Sequence, residues 1–186
     1  MRFLSATRLL IAAASGLLTA CGGGAKPTGP DAAVLLDNDF EHSLGWGGGP
    51  QPSLTTARAH SGRVSALASP EVPFSYTYAG TLDELSPGKV PTQLELTGWV
   101  LRTAAGSTAR LVVQVDASAT DESRVFYAAL PVAEAVPKFG EWTAVKLPFT
   151  LPATASGANR LKLYLWNDAG TSPTYLDDVV LRRGGQ

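Results

Sequence analysis

The chain has 186 residues and carries 15 Lys and Arg against 16 Asp and Glu, a formal net charge of −1 at pH 7. This balance argues against nucleic-acid binding, which favours a basic surface. A single cysteine is present, which excludes an intramolecular disulfide, so the fold must depend on its apolar core.

The first 20 residues have the features of a bacterial lipoprotein signal. Arg2 and Arg8 flank the start of an apolar run, 9–18, that is too short for a bilayer span of ~20 residues. The tetrapeptide LTAC that ends at Cys21 resembles a lipobox, in which small residues precede a cysteine that is lipidated and becomes the first residue after cleavage. We therefore predict a signal peptide over residues 1–20 and lipidation at Cys21. The alternative is an ordinary secretory signal with an incidental cysteine.

Residues 21–30 comprise this cysteine and a segment dominated by glycine and proline, which is typical of a flexible tether. Because several lipid chains anchor a protein stably, we expect a membrane-anchored lipoprotein of the bacterial cell envelope. Gly22 in the second mature position favours the outer membrane or cell surface. Removal of the signal takes away two arginines and no acids, so the net charge of the mature chain is near −3.

The remainder, residues 31–186, has the length of one domain with a real core. Its segments are short, rich in β-branched and aromatic residues, and separated by Gly, Pro, Ser and Asp, which predicts strands. The ten segments are AAVLLDN, PSLTTARA, VSALAS, FSYTYAG, TQLELTGWVLRT, ARLVVQVDAS, RVFYAAL, EWTAVKLPFTL, NRLKLYLWND and TYLDDVVLRR. Between them, VAEAVPKFG has room for one helical turn, which Pro137 limits. We predict an all-β jelly-roll sandwich of two antiparallel sheets.

Alternation within the strands separates two kinds of face. In RLKLYLW the three leucines, Leu161, Leu163 and Leu165, share the side expected to face the core, and the other side mixes aromatic with polar residues. Such a mixed face suits a sugar, because aromatic rings stack on the C–H face of the sugar ring and polar groups bond its hydroxyls. The predicted ligand-binding residues are Trp99, Gln114, Lys162, Tyr164 and Trp166.

We expect Gln114 and Trp99 to belong to the same sheet face. The alternative for each aromatic is that it fills the second layer of the sandwich or lies under a loop. That alternative is favoured for Trp46, in a glycine-rich turn, and for Trp142, at the start of a strand.

Four segments in chain order resemble the CenC-type carbohydrate-binding modules and their galactose-binding-like relatives: DNDFEHSLGWGGG, AHSGRVSAL, FGEWTAVKLPFTLP and TYLDDVVL. The resemblance covers about Val34 to Leu181 and implies a galactose-binding-like sandwich that binds a glycan or polysaccharide.

The same resemblance implies a structural calcium ion that joins the first strand to the last. The matching positions are the carboxylates of Glu41 and Asp177 and the main-chain carbonyls near Ser61 and Gly62, with Asp39 and Asp178 as substitute ligands. Calcium takes roughly six to eight oxygen ligands, so carboxylates and carbonyls from three segments are a suitable set. The alternative is that these acids only cap turns or face solvent.

The sequence offers no catalytic constellation. Asp177 and Asp178 are adjacent in a strand, so we expect their side chains on opposite faces, which excludes a glycosidase carboxylate pair. The two histidines, His42 and His60, lack zinc-site spacing and a nucleophile motif. Two non-enzymatic functions stay open: a glycan-binding module, or a structural or assembly lipoprotein that holds a protein partner or an envelope component. Exposure of Trp99, Tyr164 and Trp166 in an open groove would favour the first.

Overall fold

The structure is a computed structural model that describes residues 34–43 and 52–184. The predicted signal peptide, the lipidation site at Cys21, the tether and Trp46 lie outside the described residues. The strands are β1 (Val34–Asn38), β2 (Leu54–Thr55), β3 (Ser65–Ala68), β4 (Tyr78–Thr81), β5 (Gln93–Arg102), β6 (Arg110–Asp116), β7 (Arg124–Pro131), β8 (Trp142–Thr150), β9 (Arg160–Trp166) and β10 (Thr174–Arg183). Each of the ten predicted segments corresponds to one strand, with β4 and β7 each one residue longer than predicted at its C-terminal end, so the all-β prediction is confirmed.

The strands form two sheets. The first has the order β2-β3-β10-β5-β8, with β1 also paired to β10, and the second has the order β4-β9-β6-β7. All pairings within the described residues are antiparallel. From β3 onward, every connection except β6–β7 carries the chain from one sheet to the other, as in the predicted jelly-roll sandwich.

The core lies between the two sheets and follows the predicted alternation. Leu161, Leu163 and Leu165 of β9 are at most 2% exposed. They pack in one cluster with Leu111 of β6 and Leu96 of β5. Burial of each such side chain contributes about 1.5–3 kcal/mol relative to an exposed one, so the core stabilises the fold without a disulfide.

Two four-residue helices bridge sheet edges: α1 (Leu82–Leu85) and α2 (Val132–Ala135). The first is held by a capping box, in which Thr81 Oγ1 accepts from the Glu84 N–H and Glu84 Oε2 accepts from the Thr81 N–H, an arrangement that satisfies two orphan donors. The second is the helical turn predicted before Pro137. Neither helix, nor any other in the described part of the chain, has the length and hydropathy to cross a bilayer.

Strand β1 begins at the same end of the sandwich at which β10 ends. Val34 pairs with Arg182 in the antiparallel β1–β10 ladder, and the Arg183 guanidinium donates to Ser86 Oγ, just after α1, at 2.8 Å. This end is therefore shared by both ends of the described domain.

The opposite end of the sandwich is held by a buried arginine. Arg102 is 6% exposed, and its guanidinium donates to the carbonyls of Ser107 and Val136, each at 2.9 Å. Its Cζ lies 5.0 Å from the ring centroid of Phe139. Because carbonyl acceptors replace the lost hydration of the cation, the loop after β5 is fixed where it crosses to the second sheet.

Candidate ligand-binding face

Four of the five predicted ligand-binding residues meet on the outer face of the second sheet. Because the leucines of β9 point into the core, Lys162, Tyr164 and Trp166 point outward. The β6–β9 ladder places Gln114 opposite Lys162. The structure therefore brings Gln114, Lys162, Tyr164 and Trp166 together.

One end of this face is aromatic, and the sequence analysis missed one of its members. Phe74 is 52% exposed and forms an isolated β-bridge with Trp166. Its ring lies nearly parallel to that of Trp166, with centroids 6.5 Å apart, and edge-on to Tyr164 at 5.8 Å. An open depression of about 300 Å³ is lined by Phe74, Thr77, Gln114, Lys162 and Tyr164, at the lower limit of the usual size of ligand pockets.

The floor of the face carries a connected polar network. The Tyr164 hydroxyl donates to Gln114 Oε1 at 2.9 Å, and Gln114 Nε2 donates to Asp116 Oδ1 at 2.7 Å. Lys162 Nζ lies 2.8 Å from Asp116 Oδ2 as an ion pair of poor hydrogen-bond geometry. It also lies 3.0 Å from Glu122 Oε1. Each side chain is thus oriented before any ligand arrives.

Burial and these contacts fix the protonation of the network. Burial raises the pKa of the Tyr164 hydroxyl, and the close pairing with Asp116 is the main cause that raises the pKa of Lys162. Both groups therefore stay protonated at neutral pH. The tyrosine hydroxyl keeps its donor on Gln114 and leaves its oxygen as an acceptor for a ligand hydroxyl.

Tyr127 of β7 borders the face on the side opposite to β9. Tyr127 is 36% exposed and stands opposite Gln114 in the β6–β7 ladder. Strand β6 lies between the two bordering strands, and its Val112 is the cross-strand neighbour of both Tyr164 of β9 and Ala129 of β7. The face is therefore a shallow groove with an aromatic residue on each side. Tyr127 belongs to RVFYAAL, where alternation alone marks it as outward-facing.

Trp99 lies elsewhere, and the expectation that it shares a face with Gln114 is wrong. The chain changes sheet between β5 and β6, so Trp99 belongs to the first sheet. Its ring stacks on His60 at 3.9 Å, and Trp142 approaches His60 edge-on at 5.8 Å. Trp99 lines a separate open groove of about 540 Å³ with Glu95, Thr97, Lys146 and Arg182 among others.

The two carboxylates implied for calcium both contact the turn that precedes β3. Glu41 Oε1 accepts from the N–H groups of Arg63 and Val64, each at 2.6 Å, and these two bonds lower the pKa of Glu41. Asp177 Oδ2 accepts from the His60 N–H at 2.7 Å. Burial raises the pKa of Asp177, against the opposing effect of its main-chain hydrogen bonds.

Ser61 and Gly62 lie in this same turn. Ser61 Oγ donates to Asp178 Oδ1 at 2.6 Å, and His60 Nδ1 lies 2.5 Å from Asp178 Oδ2. Gly62 has a φ of 55°, and a Cβ there would come within 2.5 Å of Glu41 Oε1. A glycine is therefore required both by the backbone and by the close approach of Glu41.

The expectation that Asp177 and Asp178 point to opposite faces is wrong. A register shift interrupts β10 between Asp177 and Val180, and Asp178 has a left-handed φ of 46°. This bulge turns both carboxylates toward residues 60 and 61.

The side chains alone do not form a calcium site. Within residues 34–43 and 52–184, no group of three His, Cys, Asp or Glu is arranged to hold a metal. Glu41 and Asp177 also already accept main-chain N–H groups. A calcium ion would need main-chain carbonyls for most of its oxygen ligands. Calcium binding by Glu41, Asp177, Ser61 and Gly62 stays a prediction.

No family model matches the chain, and no curated protein sequence matches it. Solved structures do match. The C-terminal family 22 carbohydrate-binding module of Clostridium thermocellum Xyn10B is 15% identical with a TM-score of 0.53, over 84% of this chain and 98% of that one.

Two further structures agree. The CBM22-2 xylan-binding domain of Paenibacillus barcinonensis Xyn10C is 14% identical with a TM-score of 0.52, over 81% of this chain and 99% of that one. The Family 16 Carbohydrate Binding Module-2 is 20% identical with a TM-score of 0.50, over 75% and 91%. At these identities the likeness concerns the fold: the chain has the all-β sandwich fold found in carbohydrate-binding modules.

Proposed function

We propose that this chain is a non-catalytic carbohydrate-binding β-sandwich, held on the bacterial cell envelope through lipidated Cys21. The observation that carries the binding proposal is the outer face of the second sheet. There the aromatic residues Phe74, Tyr164 and Trp166 adjoin a network of oriented polar groups. The fold of the structural neighbours supports it.

The face suits a sugar on physical grounds. Phe74 is exposed and the rings of Tyr164 and Trp166 are partly exposed, so they offer apolar surface for the C–H face of a pyranose. Aromatic contacts of this kind contribute about 0.5–1.5 kcal/mol beyond the area they bury. Gln114 and Lys162 line the depression, where they would bond hydroxyl groups of the sugar. Because their positions are set by Asp116, little conformational entropy is lost when a ligand binds.

The burial and contacts of Asp116 support a binding role for the network over a catalytic one. Asp116 has no exposed surface, and it is engaged by both Gln114 and Lys162. A general acid or base must reach the reacting atoms of its substrate, and Asp116 lies beneath the face. The network therefore positions groups for recognition.

Binding is tested with the full chain in detergent on a panel of polysaccharides that begins with xylan, the ligand of the Paenibacillus barcinonensis xylan-binding domain. Affinity electrophoresis or calorimetry should detect retention. Loss of the Trp166 ring should weaken binding by roughly ten- to a hundredfold, the equivalent of about 1–3 kcal/mol.

The variants for this test are Trp166→Ala, Tyr164→Ala and, as the control, Phe139→Ala, which removes a ring that is 50% exposed and lies between α2 and β8. Thermal unfolding is measured for each. Normal stability with lost retention supports the proposal. Collapse of the fold in Trp166→Ala would place this ring in the core, and normal retention by both face variants would refute the site.

The groove at Trp99 favours an alternative function in assembly. It carries both signs of charge, with Glu95 Oε2 at 2.7 Å from Lys146 Nζ and Arg182 nearby, and mixed charges at the edge of an aromatic patch suit a protein surface. Trp99→Ala discriminates the two functions. It should leave polysaccharide retention unchanged if the second sheet binds the sugar, and it should reduce co-purification of an envelope component if the first sheet binds a partner.

A further inference from the structure

The cations around the candidate face are not equally neutralised. Arg110 Nε lies 2.5 Å from Asp168 Oδ2, and Lys162 is shared by Asp116 and Glu122. Arg124 and Arg160, by contrast, have no Asp or Glu oxygen within 4.0 Å in the described part of the chain. These two guanidinium groups are left with their full positive charge.

Both arginines flank the same buried residue. Arg160 of β9 and Arg124 of β7 stand opposite Asp116 on either side of β6. Because neighbouring strands lie about 4.8 Å apart, the two backbone positions are roughly 10 Å from each other across the groove. Long arginine side chains at this separation reach a common ligand.

Arg124 and Arg160 each have a feature that suits ligand binding at the groove. Arg124 Cζ lies 4.6 Å from the ring centroid of Tyr127, which holds its guanidinium over the face by a cation–π contact. Arg160 Nε is buried and has no hydrogen-bond partner in residues 34–43 and 52–184. A buried donor without a partner is costly, and no acceptor in the described residues has to be displaced from this nitrogen before Arg160 binds a ligand.

Asp116 does not neutralise this end of the face. One of its oxygens accepts from Gln114 and the other is paired with Lys162, so its single negative charge is already balanced. The second carboxylate, Glu122, lies 3.0 Å from Lys162. Three cations, Lys162, Arg124 and Arg160, therefore face two carboxylates, and one positive charge is in excess. The excess is local, because the whole chain has a net charge of −1.

We propose that the face selects glycans that carry carboxylates, that is, polysaccharides with uronic acid residues. This inference rests on the proposed carbohydrate-binding function and assigns different roles to the aromatic residues and to the arginines. Phe74, Tyr164 and Trp166 stack on an uncharged sugar ring, and Arg124 and Arg160 bind a carboxylate further along the chain. The planar guanidinium group matches a carboxylate with two parallel hydrogen bonds.

The test compares polymers that differ only in charge: glucuronoxylan with its carboxyl-reduced form, and polygalacturonate with its methyl ester. The full chain in detergent should bind the acidic member of at least one pair about tenfold more tightly, as expected for hydrogen bonds to charged groups. Higher salt should narrow that difference, because part of the attraction is between exposed charges.

The variant Arg124→Gln/Arg160→Gln should abolish the preference while it retains binding to the neutral polymer. Its control, Arg58→Gln/Lys138→Gln, removes the same charge from exposed residues away from the face and should keep the preference. Arg124→Lys/Arg160→Lys should keep only part of it, because lysine lacks the bidentate geometry.

The results separate the two proposals. Equal binding of acidic and neutral polymers, or an unchanged preference in the double glutamine variant, would overturn the carboxylate inference and leave carbohydrate binding in place. Failure to bind any polymer of the panel, with a normal unfolding curve, would overturn both.

Discussion

Lys162 and Asp116 form an ion pair of 2.8 Å in which the carboxylate has no exposed surface and the lysine side chain is 21% exposed. The pair lies directly beneath the groove on the second sheet. It connects the stability of that sheet to the positions of the groups that would contact a ligand, because Asp116 also orients Gln114.

Replacement of the lysine should therefore destabilise the domain. Lys162→Met leaves Asp116 buried with only Gln114 as partner, and we expect the free energy of unfolding to fall by about 3 kcal/mol. Chemical denaturation measures this value. The matched change Lys138→Met breaks an exposed pair with Glu141 and should cost less than about 1 kcal/mol. Equal losses in the two variants would mean that the buried pair has no special role.

The hydrogen bonds of Glu41 predict a loss of stability in acid. Its pKa lies below the ordinary value of 4.5 because the Arg63 and Val64 N–H groups stabilise the carboxylate. The unfolded chain therefore binds a proton more readily, so the contribution of Glu41 is present above pH 4.5 and is lost as the pH falls through its folded pKa. Asp177, whose pKa is raised, acts in the opposite direction.

Glu41→Gln isolates this effect, because glutamine keeps the acceptor oxygen and removes the charge. The melting temperatures of wild type and variant should differ near neutral pH and converge as the pH falls below 4.5. A constant difference across the acid range would show that the charge of Glu41 does not contribute.

Chelation tests the calcium prediction. An ion bound only by the folded state stabilises it by mass action, so a chelator should lower the melting temperature and added calcium should restore it. Asp177→Ala should remove this dependence, and Asp121→Ala, at an exposed position, should keep it. If the wild-type unfolding curve is the same in chelator and in excess calcium, the carboxylates at the turn only accept its N–H groups.

The lipid anchor is tested at Cys21. Because the thiol is the atom that carries the lipid, Cys21→Ser should abolish incorporation of radiolabelled palmitate and leave the protein uncleaved or released from the membrane fraction. Labelling of the variant at the level of the wild type would refute lipidation at this position.

Local periodicity predicted the strands and their core faces. The leucines of β9 are buried and its aromatic residues point outward, as alternation requires, because side chains in a strand point to opposite faces. Alternation does not describe FSYTYAG. Tyr76 is 3% exposed, whereas Phe74 is 52% exposed, since the strand itself begins only at Tyr78.

Relationships between distant strands could not be predicted. Trp99 and Gln114 both lie on outward faces, but the chain changes sheet between β5 and β6, so they belong to different sheets. Alternation within a strand carries no information about the order of the strands. The bulge at Asp178 is a second example. It depends on the fit of β10 against the turn at His60 and Ser61, more than a hundred residues earlier in the chain.

The β1–β10 ladder has a consequence for the orientation of the domain relative to a membrane to which it is anchored. Val34 lies beside Arg182, at the end of the sandwich that also carries α1 and, on the second sheet, Arg160. Trp166 is six residues further along β9, about 20 Å away at the usual rise per residue. A protein anchored by its N-terminal segment would stand with Phe74 and Trp166 outermost. A fluorescent domain fused after β10 would occupy the bilayer side and leave those rings accessible.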